Sequence, residues 1–233
     1  MRPVIIDLCC CGGGAAEGYM RAGFEVVGVD LEDHASSYPG TFVQGDAMAL
    51  LPRLVAEYKP VGVHASPPCQ GYTQMSVKHR GKGTKADEWE RLIPAFRDLL
   101  ASTGLPWVLE NVAGARRAMR SPVVLSGGAF GLRVHRPRLF EVSGFELAAP
   151  PHVQVVAPVG VYGRAPDGRR LWIRSDGSEL RCVSSIEEGR AAMGIKTSCH
   201  TWREVAEAIP PAYTEHIGRA MLGARQLQLW AHP

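Results

Sequence analysis

The sequence predicts an α/β fold: a doubly wound, mostly parallel sheet carrying a small β-rich insertion. Three observations predict it. Short apolar runs alternate with helical stretches through the first half of the chain. The first apolar run ends in a glycine cluster, as a strand feeding a ligand-binding turn does. After Ser143 the alternation gives way to short β-type runs punctuated by Asp-Gly pairs.

The elements follow in order. "VIIDLCC" is a continuous apolar run, as a parallel strand buried on both faces requires. "GAAEGYMRAG" reads as a helix closed by Gly23. "FEVVGVD" and "TFVQGD" are the second and third strands. "AMALLPRLVAEY" is amphipathic, with Pro52 limiting where its helix can start. "VGVHA" is the fourth strand, "DEWERLIPAFRDLLAST" has apolar residues at helical spacing, and "PWVLEN" is the fifth strand. "RPRLFEV" is a later strand. Within residues 153–183, Asp167-Gly168 and Asp176-Gly177 mark turns of a small antiparallel meander. The stretch from Thr201 onward is mostly helical, interrupted at Pro210-Pro211. The division that follows is a main domain of residues 1–142 and 189–233, with an insertion over 143–188.

The 233 residues suffice for one α/β domain and are short for two. No run of about 18 apolar residues appears, which excludes a membrane-spanning helix. "MRPVIIDL" enters a strand pattern at once, with no signal peptide, so a cytoplasmic location is expected. A net charge of +3 permits nucleic-acid binding without demanding it. The six cysteines are three in a row (Cys9, Cys10, Cys11) and three scattered (Cys69, Cys182, Cys199). That spacing fits neither a disulfide framework nor paired zinc ligands, so no metal is expected.

The chemistry-bearing residues lie at predicted strand ends. Glycines after the first strand, Gly12 to Gly14, let backbone approach a ligand, and the next helix points its amides there. Asp30 ends the second strand where ribose hydroxyls would lie, and Asp46 follows the third, within reach of an adenine amino group. Together they describe a nucleoside-containing cofactor, although a tight turn and a solvated strand end would look the same in isolation. Cys69 follows a strand and the stiffening pair Pro67-Pro68. It can be a small packed hydrophobe or a presented nucleophile. Beyond it, Gln70 to Lys85 is polar and carries Lys78, Arg80, Lys82 and Lys85 with no acid before Asp87, suited to solvent or to phosphates. Glu110 ends the fifth strand beside these loops.

In this order the motifs resemble the DNA (cytosine-5) methyltransferase family, in particular its small, phage- or mobile-element-like members. "DLCCCGGGAAEGYMRAGF", "VGVD" and "QGDA" resemble its three S-adenosylmethionine blocks. "PPCQGYTQMS" resembles its Pro-Cys-Gln block and "LENV" its Glu-Asn-Val block. "LSGGAFGLRVHRPRLFEV" resembles the region ending in Gln-x-Arg-x-Arg, and "GRAAMGI" and "AEAIPPAYTEHIGRAM" the last two blocks. The match covers about residues 4–142 and 189–222. The chain departs from the pattern at Cys9 and Cys11, where the family has phenylalanine and its first glycine, and at Val134, where it has glutamine. The final block lacks Gly-Asn before Pro210, and the recognition region is short.

The resemblance implies a Rossmann-like catalytic domain and a target-recognition insertion. It also implies methyl transfer from S-adenosylmethionine to C5 of a flipped-out cytosine through a covalent Cys69 adduct. Glu110 would hydrogen-bond the base, with Arg138 and Arg136 holding its carbonyl or a phosphate. The cofactor would contact Asp7, Cys9, Cys11, Gly12, Gly13, Gly14, Asp30, Leu31, Asp46, Ala47, Pro67 and Pro68. Double-stranded DNA, bound by a monomer, would meet Gln70, Ser76, Lys78, Arg80, Lys82 and Lys85. In the insertion it would meet Arg164, Arg169, Arg170 and Arg174, with Arg181 in the same cationic run; a β-ribbon of arginines can read guanine in a major groove. A tRNA substrate, a modified cofactor, or a silent nucleic-acid-binding relative are the alternatives.

Overall fold

A computed structural model describes residues 2–73, 91–163, 165–166, 168, 171–173 and 179–231, the side chains of 171–173 and 228–231 excepted. Its main sheet has seven strands: β1 (Val4–Leu8), β2 (Glu25–Asp30), β3 (Thr41–Gln44), β4 (Gly62–Ala65), β5 (Trp107–Val112), β6 (Val123–Leu125) and β7 (Arg138–Ser143). Their order is β3-β2-β1-β4-β5-β7-β6. The first five run parallel, and β7 lies antiparallel between β5 and β6. The doubly wound sheet expected from the alternation is therefore present. The strand read from "RPRLFEV" is its reversed member, and β6 lies in a stretch where no strand is predicted.

Helices α1 (Gly14–Ala22) and α6 (Pro211–Ala231) cover one face; α2 (Ala47–Tyr58) and α3 (Ile93–Ser102) cover the other. Leu51, Leu54, Phe96 and Leu100 bury against Ile6, Leu8 and Val63 on the second face. Tyr19, Tyr213 and Ile217 bury against Ile5 and Phe140 on the first. The close approach of α1 to α6 needs a glycine. A Cβ on Gly18 would collide with the Pro211 carbonyl oxygen and Thr214 Oγ1, while the Thr214 hydroxyl donates to the Ala15 carbonyl across the same seam.

Pro52 does not set the start of α2, contrary to expectation. The helix begins at Ala47 because Asp46 caps it, accepting from the Met48 and Ala49 amides at 2.8 and 3.2 Å. It then runs through Pro52.

A third hydrophobic cluster joins Val159, Val161 and Val183 of the 143–188 stretch to α4 (Ile186–Met193) and α5 (Trp202–Glu207). Val134, the departure from the family's glutamine, is buried in this cluster, where an apolar side chain is required. Within residues 143–188, β8 (Leu171–Ile173) and β9 (Glu179–Arg181) pair antiparallel in a separate two-stranded sheet on either side of the Asp176-Gly177 signal. Asp167 and Asp176-Gly177 lie outside the described residues. Among the described residues, no helix is long and apolar enough to cross a membrane.

Candidate active site

In an open α/β sheet the ligand crevice forms outside the carboxyl ends of the strands, where the strand order reverses. Here that point falls between β1 and β4. The chain leaves β1 into the Cys9–Gly14 turn and leaves β4 into Ser66-Pro67-Pro68-Cys69, so the two segments meet across one crevice. A cavity of about 560 Å³ opens there. Its wall includes Asp7, Cys9, Cys11, Gly12, Gly14, Asp30, Leu31, Asp46, Ala47, Pro67 and Pro68. Cys69, Gln70, Glu110 and Arg138 line the same cavity. Of the residues singled out as cofactor contacts, Gly13 alone stands behind the wall. It caps α1 with φ +86°, a left-handed conformation that glycine adopts without strain.

The turn is tied down by Asp30, whose Oδ2 accepts from the Cys11 amide at 2.9 Å and Oδ1 from the Glu32 amide at 3.1 Å. Cys9 and Cys11 take positive φ, +57° and +47°. They stand where the resembled family has an aromatic residue and a glycine, and they hold left-handed backbone at two side-chain-bearing positions. Burial raises both thiols far above the usual range, so neither is a thiolate near neutrality.

Asp7 is fully buried in β1. Its Oδ2 accepts from the Tyr38 hydroxyl at 3.2 Å, and its Oδ1 has no hydrogen-bond partner. Burial pushes its pKa up to about 7, against the lowering effect of Tyr38. Six carboxylates line the cavity (Asp7, Asp30, Glu32, Asp46, Glu110, Glu207) against two arginines (Arg138, Arg203). An orphaned buried carboxylate oxygen in an acidic cavity, with exposed Leu31 at its rim, fits a cationic ligand with a flat apolar part. S-adenosylmethionine, with its ammonium, sulfonium and adenine, has that character.

Asn111 fixes the Pro67–Cys69 segment. It is fully buried at the end of β5, and its Nδ2 donates to the Pro67 carbonyl at 2.9 Å. Cys69 is then held by its own carbonyl, which accepts from the Tyr72 amide at 2.9 Å. Burial pushes the Cys69 thiol up, Glu110 adds to that rise, and Arg138 opposes it. The lowered thiol that nearby cations would produce is therefore absent from the free protein, because burial first and the Glu110 carboxylate second outweigh the arginine.

Glu110 is buried and its pKa is raised, chiefly by desolvation, with Arg138 the main opposing influence. Arg138 Nε lies 3.1 Å from Oε1 as an ion pair, but its angle does not make a hydrogen bond, so Oε1 keeps none.

Arg136 corrects the sequence reading. It does not line the cavity; it is 1% exposed. Its Nε, Nη1 and Nη2 donate to the carbonyls of Ala208, Val161 and Ala206 at 2.9, 3.2 and 2.6 Å, and its guanidinium lies over the Tyr162 ring. It clamps the insertion and the α5–α6 turn to the sheet and is not free to hold a base.

Ser76, Lys78, Arg80 and Lys82 lie outside the described residues, as do Lys85, Arg164, Arg169, Arg170 and Arg174. Arg181 is described, and it pairs with Glu188. Sequence reasoning passed over Arg203, Glu207 and Glu32. All three line the cavity, and Arg203 forks onto Glu32 at 2.8 and 2.9 Å. It also passed over Arg116, Arg117 and Arg120, exposed just beyond Glu110-Asn111-Val112. The run "ARRAMR" directly after a strand-end glutamate was the available signal.

Comparison with protein-family models and with curated protein sequences gives no match. Solved structures do match over nearly their whole length. One is described as a DNA modification methyltransferase encoded within an E. coli prophage: TM-score 0.65 at 16% identity, covering 96% of this chain and 99% of that one. The methyltransferase EhMeth of Entamoeba histolytica gives 0.62 at 11%, covering 96% and 98%. A mutant DNMT2 from Spodoptera frugiperda gives 0.59 at 12%, covering 94% and 99%. The chain has the fold of these methyltransferases. On this methyltransferase fold the cavity at the β1/β4 reversal and the strand-end Cys69 and Glu110 occupy one crevice.

Proposed function

We propose that the protein is an S-adenosylmethionine-dependent DNA methyltransferase acting on C5 of cytosine. One observation carries the reading: a single cavity holds an acidic cofactor-type wall after β1 and, against it, Cys69, Glu110 and Arg138.

Asp7, Asp30, Asp46 and Leu31 would hold the cofactor, Asp7 Oδ1 meeting its positive charge. Bound there, S-adenosylmethionine supplies an electrophilic methyl carbon. C5 of cytosine is too weak a nucleophile to take it unaided, and it is unreachable in a stacked duplex, so the base is flipped into the crevice. Cys69 loses its proton to solvent and its sulfur bonds to C6. The displaced ring electrons build up toward N3, where the proton held by Glu110 is transferred. C5 is then electron-rich and takes the methyl group, with the donor sulfur leaving as a neutral thioether. Loss of the C5 proton to solvent, expulsion of the Cys69 thiolate and return of the N3 proton to Glu110 restore the ring. Arg138 stands beside Glu110 and Cys69 and would hold the base carbonyl.

Protonating Glu110 also removes the negative charge that raises the Cys69 thiol. Engagement of the base thus favours the thiolate it needs. The duplex would be gripped by Gln70, exposed beside Cys69, by the Arg116, Arg117 and Arg120 group, and by the cations that the sequence carries in residues 74–90 and 143–188.

Incubating the chain with the cofactor and either duplex DNA or tRNA, then analysing nucleosides by mass spectrometry, tests the reading. 5-Methyldeoxycytidine in the DNA digest is expected. Methylation confined to RNA, a different transferred mass, or none at all would overturn it.

A further inference from the structure

Tyr38 lies between β2 and β3, buried, and it does not line the cavity. Two sets of contacts seat it. The Ser37 and Tyr38 amides both donate to the His34 carbonyl at 2.9 Å, closing a tight turn. The ring then lies over Gly28, the glycine inside "EVVGVD", where a Cβ would collide with ring Cζ and the hydroxyl oxygen. Gly13 makes room on the other side; a Cβ there would stand 2.9 Å from ring Cδ2. Gly28 pairs in register with Asp7 of β1. A ring seated on Gly28 therefore brings its hydroxyl to the neighbouring carboxyl, and Tyr38 donates to Asp7 Oδ2 at 3.2 Å.

We propose that Tyr38 is a positioning residue for the cofactor site: from behind the cavity wall it holds Oδ2 of Asp7, so that Oδ1 is kept for the positive charge of the ligand. This rests on the cofactor reading given above. An aspartate carboxyl turns about a broad, two-fold torsion, so without an anchor neither oxygen is selected. A single donor on Oδ2 makes the selection. Oδ1 is left buried on the cavity wall with no hydrogen-bond partner among the described residues. Such an oxygen is costly until a cation or a donor meets it.

The same hydroxyl supports the charged form of Asp7. Burial pushes this carboxyl up to about 7, Tyr38 opposes the rise, and Asp30 at the end of β2 adds to it. The other titratable neighbours carry no charge near neutrality. His64, in register with Asp7 on β4, is pushed down to about 3 by burial. The Cys9 and Cys10 thiols after β1 and the Tyr19 hydroxyl on α1 are all pushed up by burial. Among the described residues, Tyr38 is the one hydrogen-bond donor to this carboxyl.

The test follows the Asp7 carboxyl by carbon-13 NMR in the free full-length protein, and S-adenosylmethionine binding by calorimetry at pH 6, 7 and 8. Wild type is compared with Tyr38→Phe, which keeps the buried ring, and with Gly28→Ala, which displaces it. Asp7→Asn identifies the signal. Loss of the hydroxyl should lower the acid dissociation constant of Asp7 about tenfold. Cofactor affinity should then fall about tenfold at pH 6 but only about twofold at pH 8, as more of Asp7 ionises in the variant. Gly28→Ala should move both readings the same way. An Asp7 titration that overlays wild type in Tyr38→Phe would overturn the proposal. So would an affinity deficit of equal size at every pH, which is what a misshapen cavity produces. The NMR arm needs no cofactor. A wild-type chain that binds no S-adenosylmethionine would sink the cofactor reading, while the Asp7 titration still reports on Tyr38, so the two failures are distinguishable.

Discussion

Cys69 shares its crevice with a carboxylate that works against its ionisation, and this produces an unusual expectation for one substitution. Glu110→Gln removes the charge that raises the thiol and leaves Arg138 unneutralised beside the sulfur. Alkylation of Cys69 by iodoacetamide should then begin at lower pH than in wild type, while turnover falls by roughly a hundredfold or more as N3 loses its proton donor. Both arms are measured on the same variant; an unchanged alkylation profile would remove the electrostatic link. Asp7 carries a second expectation. Its buried carboxyl titrates near pH 7 in the free protein and must be ionised to meet a cationic cofactor. Affinity measured by calorimetry should rise from pH 6 to pH 8, with proton release on binding below pH 7, and Asp7→Asn should flatten the dependence. At this scale the placing of Cys69 and Glu110 at one crevice was legible, because each follows or closes an apolar run read as a parallel strand. Arg136 was not. It stands two residues from Arg138 in the same motif, but its guanidinium is taken up by three backbone carbonyls, and no pattern of residue types announces that.

Elements were legible where periodicity alone decides them and obscure where one tertiary contact does. Strands β1, β2, β4 and β5 are centred on apolar runs and could be read directly, as could the short β3. β6 is three residues long and owes its existence to pairing with β7, which nothing local specifies. α2 was misjudged at its start because Pro52 is conspicuous, whereas the N-terminal signal is Asp46, a residue already claimed as a ligand candidate. One oxygen of Asp46 caps the helix, which leaves the other open to the proposed ligand role. The α1–α6 seam gives the element-scale prediction. Gly18→Ala places a methyl against the Pro211 carbonyl and the Thr214 hydroxyl, both held by the helix pair. The substitution should cost about 2 kcal/mol or more, against the small gain that alanine brings to an unconstrained helix position. A urea midpoint equal to wild type would show that the seam can open.

At the scale of the whole molecule, the last third of the chain returns to complete a site begun by the first. Glu17 on α1 accepts from the amides of Lys196, Thr197 and Ser198, and Arg203, Glu207, Ala208 and Ile209 close the cavity that Asp7 and Asp30 open. That closure was visible in the sequence only through the family resemblance of the final blocks. The fold also builds in a cost. Asp7 keeps its proton to about pH 7 when folded but loses it near pH 4 when unfolded, so the free protein should lose stability as pH rises from 4 to 7. Thermal melts of wild type should show that decline, and Asp7→Asn should remove most of it. The central claim is that Cys69 bonds to a flipped-out cytosine while Glu110 stabilises the ring. Its most direct test is the intact mass of the protein after incubation with the cofactor and a duplex carrying 5-fluorocytosine, where the fluorine blocks the final elimination. A protein–DNA adduct that maps to Cys69 and is lost in Cys69→Ser is predicted. A wild-type protein that methylates ordinary DNA yet forms no such adduct, or forms it on another residue, would contradict the account.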